Sequence, residues 1–347
     1  MISGYPLPTG NSEEPLFVSG WMLNPEIEFD SFAIYIDKHN EGLSKIIIRD
    51  DVAKVFPDIP HAKNTGFSFG IKVPPQNMDR MRDICIVGLL KGKEITKIGT
   101  YYCQILDELV PPEKLILSVG GGFESVGNEF LRYFIDLCEL KTNEKVLDVG
   151  CGVGRMAVPL MNYLNECGGY EGFDIIGDAI NWCKKNITRK HPNFKFQQAD
   201  IYNKAYNSVG SLNASKYTFP FNDESFDFVF LTSVFTHMMP QDVENYLSEV
   251  GRVLKDSGRC LITFFLLNNM SIDLVSAKKS SLDFKYNHGK YSVVDEYVPE
   301  SAVAYDELYV RGLYIKHGLT ILDPIYYGYW CNRKQFLSYQ DIIIAKK

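Results

Sequence analysis

The sequence predicts an α/β protein in which an N-terminal all-β sandwich precedes a doubly wound, mostly parallel sheet. Within residues 16–104, short alternating apolar stretches are separated by turn sequences such as Asn-Pro and Lys-Gly-Lys, without a long amphipathic helix. This spacing is typical of an antiparallel sandwich. After about residue 120, strand-like and helix-like segments alternate, which is typical of a parallel sheet covered by helices.

The boundary between the two parts is predicted at residues 110–113, where Val-Pro-Pro-Glu interrupts both periodicities. We therefore expect a sandwich domain at 1–108, a linker at 109–120 and an α/β domain at 121–347. The α/β domain should begin with an amphipathic helix at 127–139. The later predicted elements are, in order, a strand at 145–150, a helix from 154, a strand at 170–175, a helix at 178–187, strands at 195–200 and 226–233, a helix at 241–254, a strand at 259–265, a helix at about 301–317, and strands at about 319–326 and 340–346.

The composition excludes several classes of function. Acidic residues outnumber basic ones, 43 to 36, so nucleic acid is not an expected partner.

The N-terminus lacks the basic and apolar segments of a secretory signal, and the most apolar run, 260–267, is far shorter than the roughly 20 residues of a membrane span. The eight cysteines form no CxxC pair, and no histidines or carboxylates have metal-ligand spacing. We therefore expect free thiols, a cytoplasmic location and no metal.

A glycine-rich loop is the sharpest chemical signal. An apolar strand is expected to end at Asp148, and the chain then turns through Gly150, Gly152 and Gly154 into a helix. Glycines are needed where the chain turns tightly and a ligand approaches the backbone closely. A glycine loop alone is weak evidence, so its meaning depends on the residues that accompany it.

Two further acidic residues stand at the ends of the next two predicted strands. Asp174 lies 20 residues after Gly154 (174 − 154 = 20), where a carboxylate can accept hydrogen bonds from both hydroxyls of a ribose. Asp200 is placed to accept a hydrogen bond from an exocyclic amine such as that of adenine. Because the carboxyl ends of parallel strands share one edge, Asp148, Asp174 and Asp200 should face the same crevice.

The loop differs from a dinucleotide fingerprint, because the third glycine of G-x-G-x-x-G would fall at position 155 and this chain has Arg155. Three carboxylates also suit a cationic sulfonium-bearing adenosine better than a pyrophosphate. The sequence therefore disfavours a nicotinamide-dependent dehydrogenase.

The motifs VLDVGCGVGR, GFDI, QQADIYN and FDFVFLTSVFTHM resemble those of the class I S-adenosylmethionine-dependent methyltransferases over residues 121–347. The resemblance implies a Rossmann-like seven-stranded sheet with an antiparallel last strand between strands five and six, and S-adenosylmethionine as cofactor. It implies a set of cofactor-binding residues: Asp148, Gly150, Gly152 and Gly154 for the methionine moiety, with Cys151 and Arg155 in the same loop; Asp174 for the ribose; Ile175, Asp200 and Ile201 for the adenine; and Thr232 and Ser233 at the mouth of the site.

The N-terminal part resembles the β-sandwich modules attached to bacterial glycosyltransferases and glycan-modifying methyltransferases. The similarity rests on SGWMLNP, on the segment RDDVAKVFPD and on NTGFSF. It implies a cell-surface-glycan context, a glycan or small-molecule acceptor, and a glycosyltransferase as a partner protein.

His237 is the candidate catalytic residue. It follows the fourth strand at the expected edge, and its neutral imidazole could take a proton from a sugar or phenolic hydroxyl. The alternative is that it only orders its loop. Three aromatic-rich loops could shape an acceptor pocket: 202–219, 268–298 and 326–339.

The sequence thus predicts O-methylation of a sugar hydroxyl. The alternatives that remain open are N-methylation of a small amine or protein and a non-catalytic adenosylmethionine-binding scaffold.

Overall fold

The chain forms two compact units, Met1–Glu108 and Leu109–Lys347. The computed structural model describes residues 16–36, 39–71, 82–103, 109–118, 122–204 and 206–347. The predicted sandwich, linker and α/β domain are therefore covered except for 1–15 and five shorter stretches.

The N-terminal unit consists of two antiparallel sheets. Its elements are β1 (Leu16–Trp21), β2 (Ser31–Ile36), β3 (His39–Lys45), α1 (Asp50–Val55), β4 (Gly66–Ile71), β5 (Arg82–Leu90) and β6 (Lys93–Cys103). One sheet pairs β1 with β4, and the other has the order β3-β2-β5-β6. The two sheets share an apolar core to which β2 contributes Phe32 and Ile34, β5 contributes Ile86, and β4 contributes Phe67 and Phe69. The prediction of an antiparallel β-rich unit is confirmed for the described residues. The unit also contains the short helix α1, which was not predicted.

The second unit alternates strands and helices. Its elements are α2 (Glu113–Ser118), α3 (Phe123–Asp136), β7 (Lys145–Val149), α4 (Ala157–Tyr163), β8 (Gly169–Asp174), α5 (Gly177–Cys183), β9 (Phe194–Gln198), β10 (Phe226–Leu231), α6 (Pro240–Val253), β11 (Leu254–Phe264), β12 (Leu266–Leu267), α7 (Asn269–Ser276), β13 (Tyr286–Asn287), β14 (Tyr291–Val293), β15 (Val303–Asp306), α8 (Glu307–Lys316), β16 (Thr320–Ile321) and β17 (Asp341–Lys346). Helix α2 lies within the predicted linker.

The main sheet has seven strands in the order β16-β17-β11-β10-β7-β8-β9. Strands β7 to β11 are mutually parallel, and β17 runs antiparallel between β11 and β16. This confirms the predicted fold class, including the position of the antiparallel strand. Strand β16 spans only Thr320–Ile321, so the predicted strand at 319–326 is too long.

The sheet forms the core of this unit. Residues 228–231 of β10 and 342–345 of β17 are all at most 3% exposed. Parallel strands covered by helices on both faces are apolar along their length rather than alternating, which explains the continuous apolar runs in the sequence. The carboxyl ends of β7, β8, β9 and β10 consequently meet at one edge, which we call the carboxyl edge.

A second, four-stranded sheet follows β11, with the order β12-β15-β14-β13. The prediction that residues 268–298 form a loop is therefore wrong, because this segment contains α7, β13 and β14. The predicted helix at 301–317 is also wrong at its start, since 303–306 is strand β15 and α8 begins at Glu307. Strands of two to four residues are too short to produce a periodic signal in the sequence.

Across the parts of the chain that the structure describes, no helix is both long and apolar enough to cross a membrane. Most of the described cysteines are buried free thiols, and Cys167 is exposed.

Candidate active site

The glycine loop joins β7 to α4 at the carboxyl edge. Gly150, Gly152 and Gly154 all adopt left-handed backbone conformations, with φ of 83°, 51° and 76°. A Cβ atom on Gly150 would lie 2.4 Å from Cγ2 of Val234, which leaves no room for a side chain. Both the backbone conformation and the packing therefore require glycine at position 150.

Cys151 and Arg155 are the other candidate residues of the glycine loop. Cys151 is 5% exposed, and burial raises the pKa of its thiol well above the ordinary value. A protonated buried thiol fills space and is not a nucleophile. Arg155 is partly buried, which lowers the pKa of its guanidinium.

Asp174 ends β8 and is bonded to the glycine loop. Its Oδ2 accepts a hydrogen bond from the backbone N–H of Gly152 (2.7 Å), and its Oδ1 accepts one from Ile176 (2.8 Å). Desolvation raises the pKa of the Asp174 carboxyl, while these N–H donors oppose the rise. Ile175, the next residue, is half-buried against the main core. The structure thus brings Asp174 to the glycine loop, as expected from the sequence, whereas the role of Ile175 toward the adenine stays a prediction.

Asp148 lies inside β7 rather than at its end, because the strand continues through Val149. Its side chain is 1% exposed, and Oδ2 accepts a hydrogen bond from the Tyr170 hydroxyl at 2.6 Å. Oδ1 is buried without a hydrogen-bond partner. Burial raises the pKa of Asp148 to about 8. The expectation that Asp148 terminates its strand is therefore wrong, although it stays next to the loop.

Asp200 follows β9 and is exposed, with its Oδ2 accepting a hydrogen bond from the Ser211 hydroxyl. Ile201 is 3% exposed and belongs to the main core. The role of these two residues toward adenine stays a prediction.

Thr232 and Ser233 follow the end of β10. Ser233 has a left-handed conformation (φ 59°), and its N–H donates to Oγ1 of Thr263 at 2.7 Å. Its hydroxyl accepts from Nε2 of Gln340 at 3.0 Å. The turn after β10 is thus fixed to β11 and to the segment that precedes β17.

His237 ends a short 3-10 helix, Phe235–His237, that follows this turn. Its Nδ1 lies 2.9 Å from the backbone carbonyl of Glu300. A carbonyl oxygen only accepts, so Nδ1 carries the proton and Nε2 is left with its lone pair. Nε2 faces the Tyr206 hydroxyl at 3.5 Å. Desolvation lowers the pKa of His237 below its ordinary value, which keeps the ring neutral near pH 7.

Two site residues escaped the sequence analysis. Tyr170 occupies a strand interior, where an aromatic residue is ordinary core material, so no sequence signal marks it as the partner of Asp148. Tyr206 lies in the insert 202–219, and its ring packs edge-on against His237 with centroids 5.2 Å apart. The insert itself was predicted to shape the acceptor pocket.

The aromatic segment 326–339 differs from its prediction as a pocket wall. Trp330 is fully buried, and it packs against Phe265 and Phe284. Tyr329 and Phe336 remain 46% and 48% exposed. Only part of this segment is therefore available to a ligand. Among the residues that the structure describes, no group of three or more histidines, cysteines or carboxylates could hold a metal ion.

Comparison with known proteins agrees with this architecture. Residues 140–304 match a family model described as a methyltransferase domain. The chain is 30% identical over 135 residues to an uncharacterized methyltransferase, YcgJ, of Bacillus subtilis, covering 39% of this chain and 46% of that protein. It is 24% identical over 136 residues to a probable cobalt-precorrin-6B C(15)-methyltransferase of Thermoplasma acidophilum, covering 38% and 59%.

A third relative is phosphoethanolamine N-methyltransferase 3 of Arabidopsis thaliana, 28% identical over 145 residues that cover 42% of this chain and 26% of that protein. The matched segments thus span less than two thirds of each of these relatives. Among solved structures, a SAM-dependent methyltransferase from Methanosarcina mazei is 20% identical, with a TM-score of 0.43 over 61% of this chain and 96% of that one.

Proposed function

We propose, from the premise that residues 140–304 form a class I S-adenosylmethionine-dependent methyltransferase domain, that this chain methylates a hydroxyl group of a sugar. The acceptor would be a glycan, a glycolipid or a related small molecule. S-Adenosylmethionine is the cofactor of this domain, and it supplies a methyl group activated by its sulfonium.

The residues at the carboxyl edge fit this cofactor. Oδ1 of Asp148 is buried beside the glycine loop without a partner, and an ammonium group such as that of the methionine end would satisfy it. Asp174 holds a carboxylate that two backbone N–H groups have already oriented toward the loop, which suits the hydroxyls of a ribose. Asp200 and Ile201 would flank the adenine. An acidic donor set matches a cationic ligand.

The arrangement of His237 supports a hydroxyl acceptor, and this observation carries the proposal. Because Nδ1–H donates to the Glu300 carbonyl, Nε2 is an oriented proton acceptor at the mouth of the site. In the proposed reaction, Nε2 would take the proton of the acceptor hydroxyl, whose oxygen would receive the methyl group that S-adenosylmethionine supplies. On this proposal, the acceptor oxygen would replace the Tyr206 hydroxyl as the neighbour of Nε2.

Sugar as the acceptor class is supported by exposed aromatic rings near this point. Tyr202 and Tyr206 are 47% and 43% exposed on the insert after Asp200. Aromatic rings can stack on the apolar face of a sugar while their hydroxyls bond its oxygens. The similarity of the N-terminal unit to glycan-associated modules points the same way, and a glycosyltransferase remains the proposed protein partner.

N-methylation is the second candidate, supported by the similarity to phosphoethanolamine N-methyltransferases from Arabidopsis thaliana and Triticum aestivum. An unprotonated amine attacks through its lone pair and needs no strong base. A hydroxyl must lose its proton and therefore does need one. On that alternative, replacing His237 would leave the rate nearly unchanged.

Calorimetric titration with S-adenosylmethionine and S-adenosylhomocysteine tests the cofactor site. We expect micromolar binding by the wild type, loss of binding in Asp174→Ala, and retention in the control Asp178→Ala, which changes an exposed carboxylate in the first turn of α5. A methyl-transfer assay on sugars and amines then separates the candidates. Turnover on amines alone would overturn O-methylation, and binding without turnover on either class would favour a scaffold.

A further inference from the structure

We infer that the acceptor carries an oxyanionic group, a phosphate or a carboxylate, and that Arg333 binds it. This inference rests on the proposed function, because it names the chemical class of the molecule that the site would methylate. It comes from one buried guanidinium whose charge is not matched by any ion pair with a described residue.

Arg333 lies in the connection that reaches the carboxyl edge. Strand β17 is antiparallel to β11, and Asp341 pairs with Phe264, so the residues that precede Asp341 leave the sheet at the end where β10 and β11 finish. The hydrogen bond from Gln340 to Ser233 fixes the connection to the turn after β10. Asn268, which Arg333 contacts, follows β12 just beyond the end of β11. The guanidinium therefore lies at the carboxyl edge of the sheet, where the acceptor is proposed to bind.

The contacts of Arg333 are all with neutral groups. Its Nη2 donates to Oδ1 of Asn268 at 3.1 Å, and its Nη1 lies 3.3 Å from the sulfur of Met270. The guanidinium carbon lies 4.3 Å from the centre of the Tyr327 ring. The residue is only 7% exposed, and its Nε is buried without a hydrogen-bond partner.

Two carboxylates linked to this environment are occupied by other donors. Glu307 accepts hydrogen bonds from Arg311 at 3.0 Å, from Asn268 at 2.9 Å and from the Tyr327 hydroxyl at 3.0 Å. Asp341 is completely buried, and it accepts from the N–H groups of Leu266, Gly328 and Trp330. Burial raises the pKa of the Asp341 carboxyl to about 6, while the charge of Arg333 opposes the rise. The two side chains form no ion pair.

A guanidinium in this position favours an incoming anion. Moving a cation out of water without a paired anion is unfavourable, and the cost is recovered when two oxygens of an oxyanion accept from its planar N–H fork. The amino end of α7 lies beside it, since Asn268 is the cap whose side chain accepts from Ser271 N at 3.1 Å. The partial positive charge of a helix amino end adds to the attraction for an anion. On this proposal, Arg333 would hold the anionic group of a sugar whose hydroxyl is presented to His237.

The test compares Arg333→Met with Arg311→Met in the full chain. Arg311 is a matched control, because it is an arginine of the same region that already pairs with Glu307 and Asp323. Inorganic phosphate and acetate are the probes, titrated by calorimetry and by thermal unfolding. We expect millimolar phosphate binding in the wild type and in Arg311→Met, weakened about tenfold or more in Arg333→Met. Comparing the affinities for phosphate and acetate shows whether the site prefers a phosphate or a carboxylate.

Stability separates this role from a structural one. If Arg333 serves to bind an anion, Arg333→Met should unfold at the same temperature as the wild type or a higher one when phosphate is absent. The reason is that replacing an unpaired buried charge by an apolar chain is neutral or stabilising. Equal phosphate binding in Arg333→Met and wild type, or no anion binding by the wild type, would overturn the inference. If Arg333→Met does not fold, Arg333→Lys, which keeps the charge without the planar fork, should show intermediate phosphate affinity. S-Adenosylmethionine binding should be unchanged in every variant, so its absence in the wild type would reject the proposed function instead.

Discussion

The backbone N–H of Gly152 donates to Oδ2 of Asp174 over 2.7 Å, so the glycine loop and the acidic end of β8 form one hydrogen-bonded unit. The other oxygen of the same carboxylate accepts from Ile176 at 2.8 Å. Each carboxylate oxygen has a second lone pair, which a ribose hydroxyl can use. The conformation of the loop therefore determines the orientation of the group that should bind the sugar of the cofactor.

Gly150→Ala should destabilise the protein through both backbone and packing. A left-handed conformation costs an alanine about 1–2 kcal/mol, and the added Cβ would lie 2.4 Å from Val234. Gly318→Ala is the control, because Gly318 has a similar φ of 71° with open space around it. Denaturant unfolding should show a larger loss for Gly150→Ala, and Val234→Ala in that background should restore part of it. Equal losses at the two glycines would contradict the packing argument.

His237→Gln should lower kcat by about 10²–10⁴-fold if Nε2 acts as the general base. The dissociation constant for S-adenosylmethionine should stay within about twofold of the wild-type value, since the ring contacts the insert and Glu300 rather than the glycine loop. His191→Gln is the control, because His191 is another half-buried histidine that packs against Phe194. A similar kcat for both variants would remove His237 from catalysis.

The rate should be independent of pH above about 7 and should fall in acid. Burial lowers the pKa of His237 below its ordinary value of about 6.5, so the neutral, proton-accepting form persists to lower pH than in a free histidine. Measuring kcat from pH 5 to 9 on the best acceptor gives the profile. A rate that continues to rise between pH 7 and 9 would indicate a different titrating group.

Asp148 should make the folded state less stable as pH rises. Its pKa is raised by burial to about 8, so between about pH 4 and 8 the native state holds a proton that the unfolded chain releases. The free energy of unfolding from this group therefore decreases through that interval. Asp148→Asn should flatten the dependence between pH 6 and 8.5 in thermal unfolding, whereas Asp178→Asn should leave it unchanged. An unaltered slope in Asp148→Asn would show that the carboxyl is already ionised at pH 6.

Arg259→Met should lower the free energy of unfolding by about 3–5 kcal/mol, because it leaves the largely buried Glu144 without its partner. Arg259 is 8% exposed, and it also donates to the carbonyls of Cys138 and Glu139. Lys195→Met is the control, since that exposed lysine pairs with Glu171 at 3.3 Å and should contribute at most about 1 kcal/mol. Equal effects of the two substitutions would mean that burial does not strengthen the Arg259 pair.

Much of the main sheet could be predicted from the sequence because its signals are local. The run FDFVFL forms β10, since a strand covered on both faces needs apolar residues throughout. The glycine loop could be predicted for the same reason, because each left-handed turn favours a glycine at that position of the sequence. Asp174 followed from its spacing to that loop.

The remaining features depend on contacts between distant residues. His237 acquires its tautomer from the carbonyl of Glu300, 63 positions later, and no local pattern encodes that pairing. Asp148 is buried because Tyr170 crosses from the neighbouring strand, 22 positions away. The strands of the second sheet are two to four residues long, so their sequence cannot distinguish them from a loop.

The position of β17 has a consequence for how the sheet assembles during synthesis. Among the seven strands it is made last, yet it lies between β11 and β16. Until β17 has been made, one side of β11 exposes unpaired backbone N–H and carbonyl groups, which other chains can extend as a sheet. Strand β16 also has no neighbour to join, because β17 is its pairing partner in the sheet. The main sheet can therefore be completed only after β17 is made, and a chaperone that shields β11 would act in the interval before it.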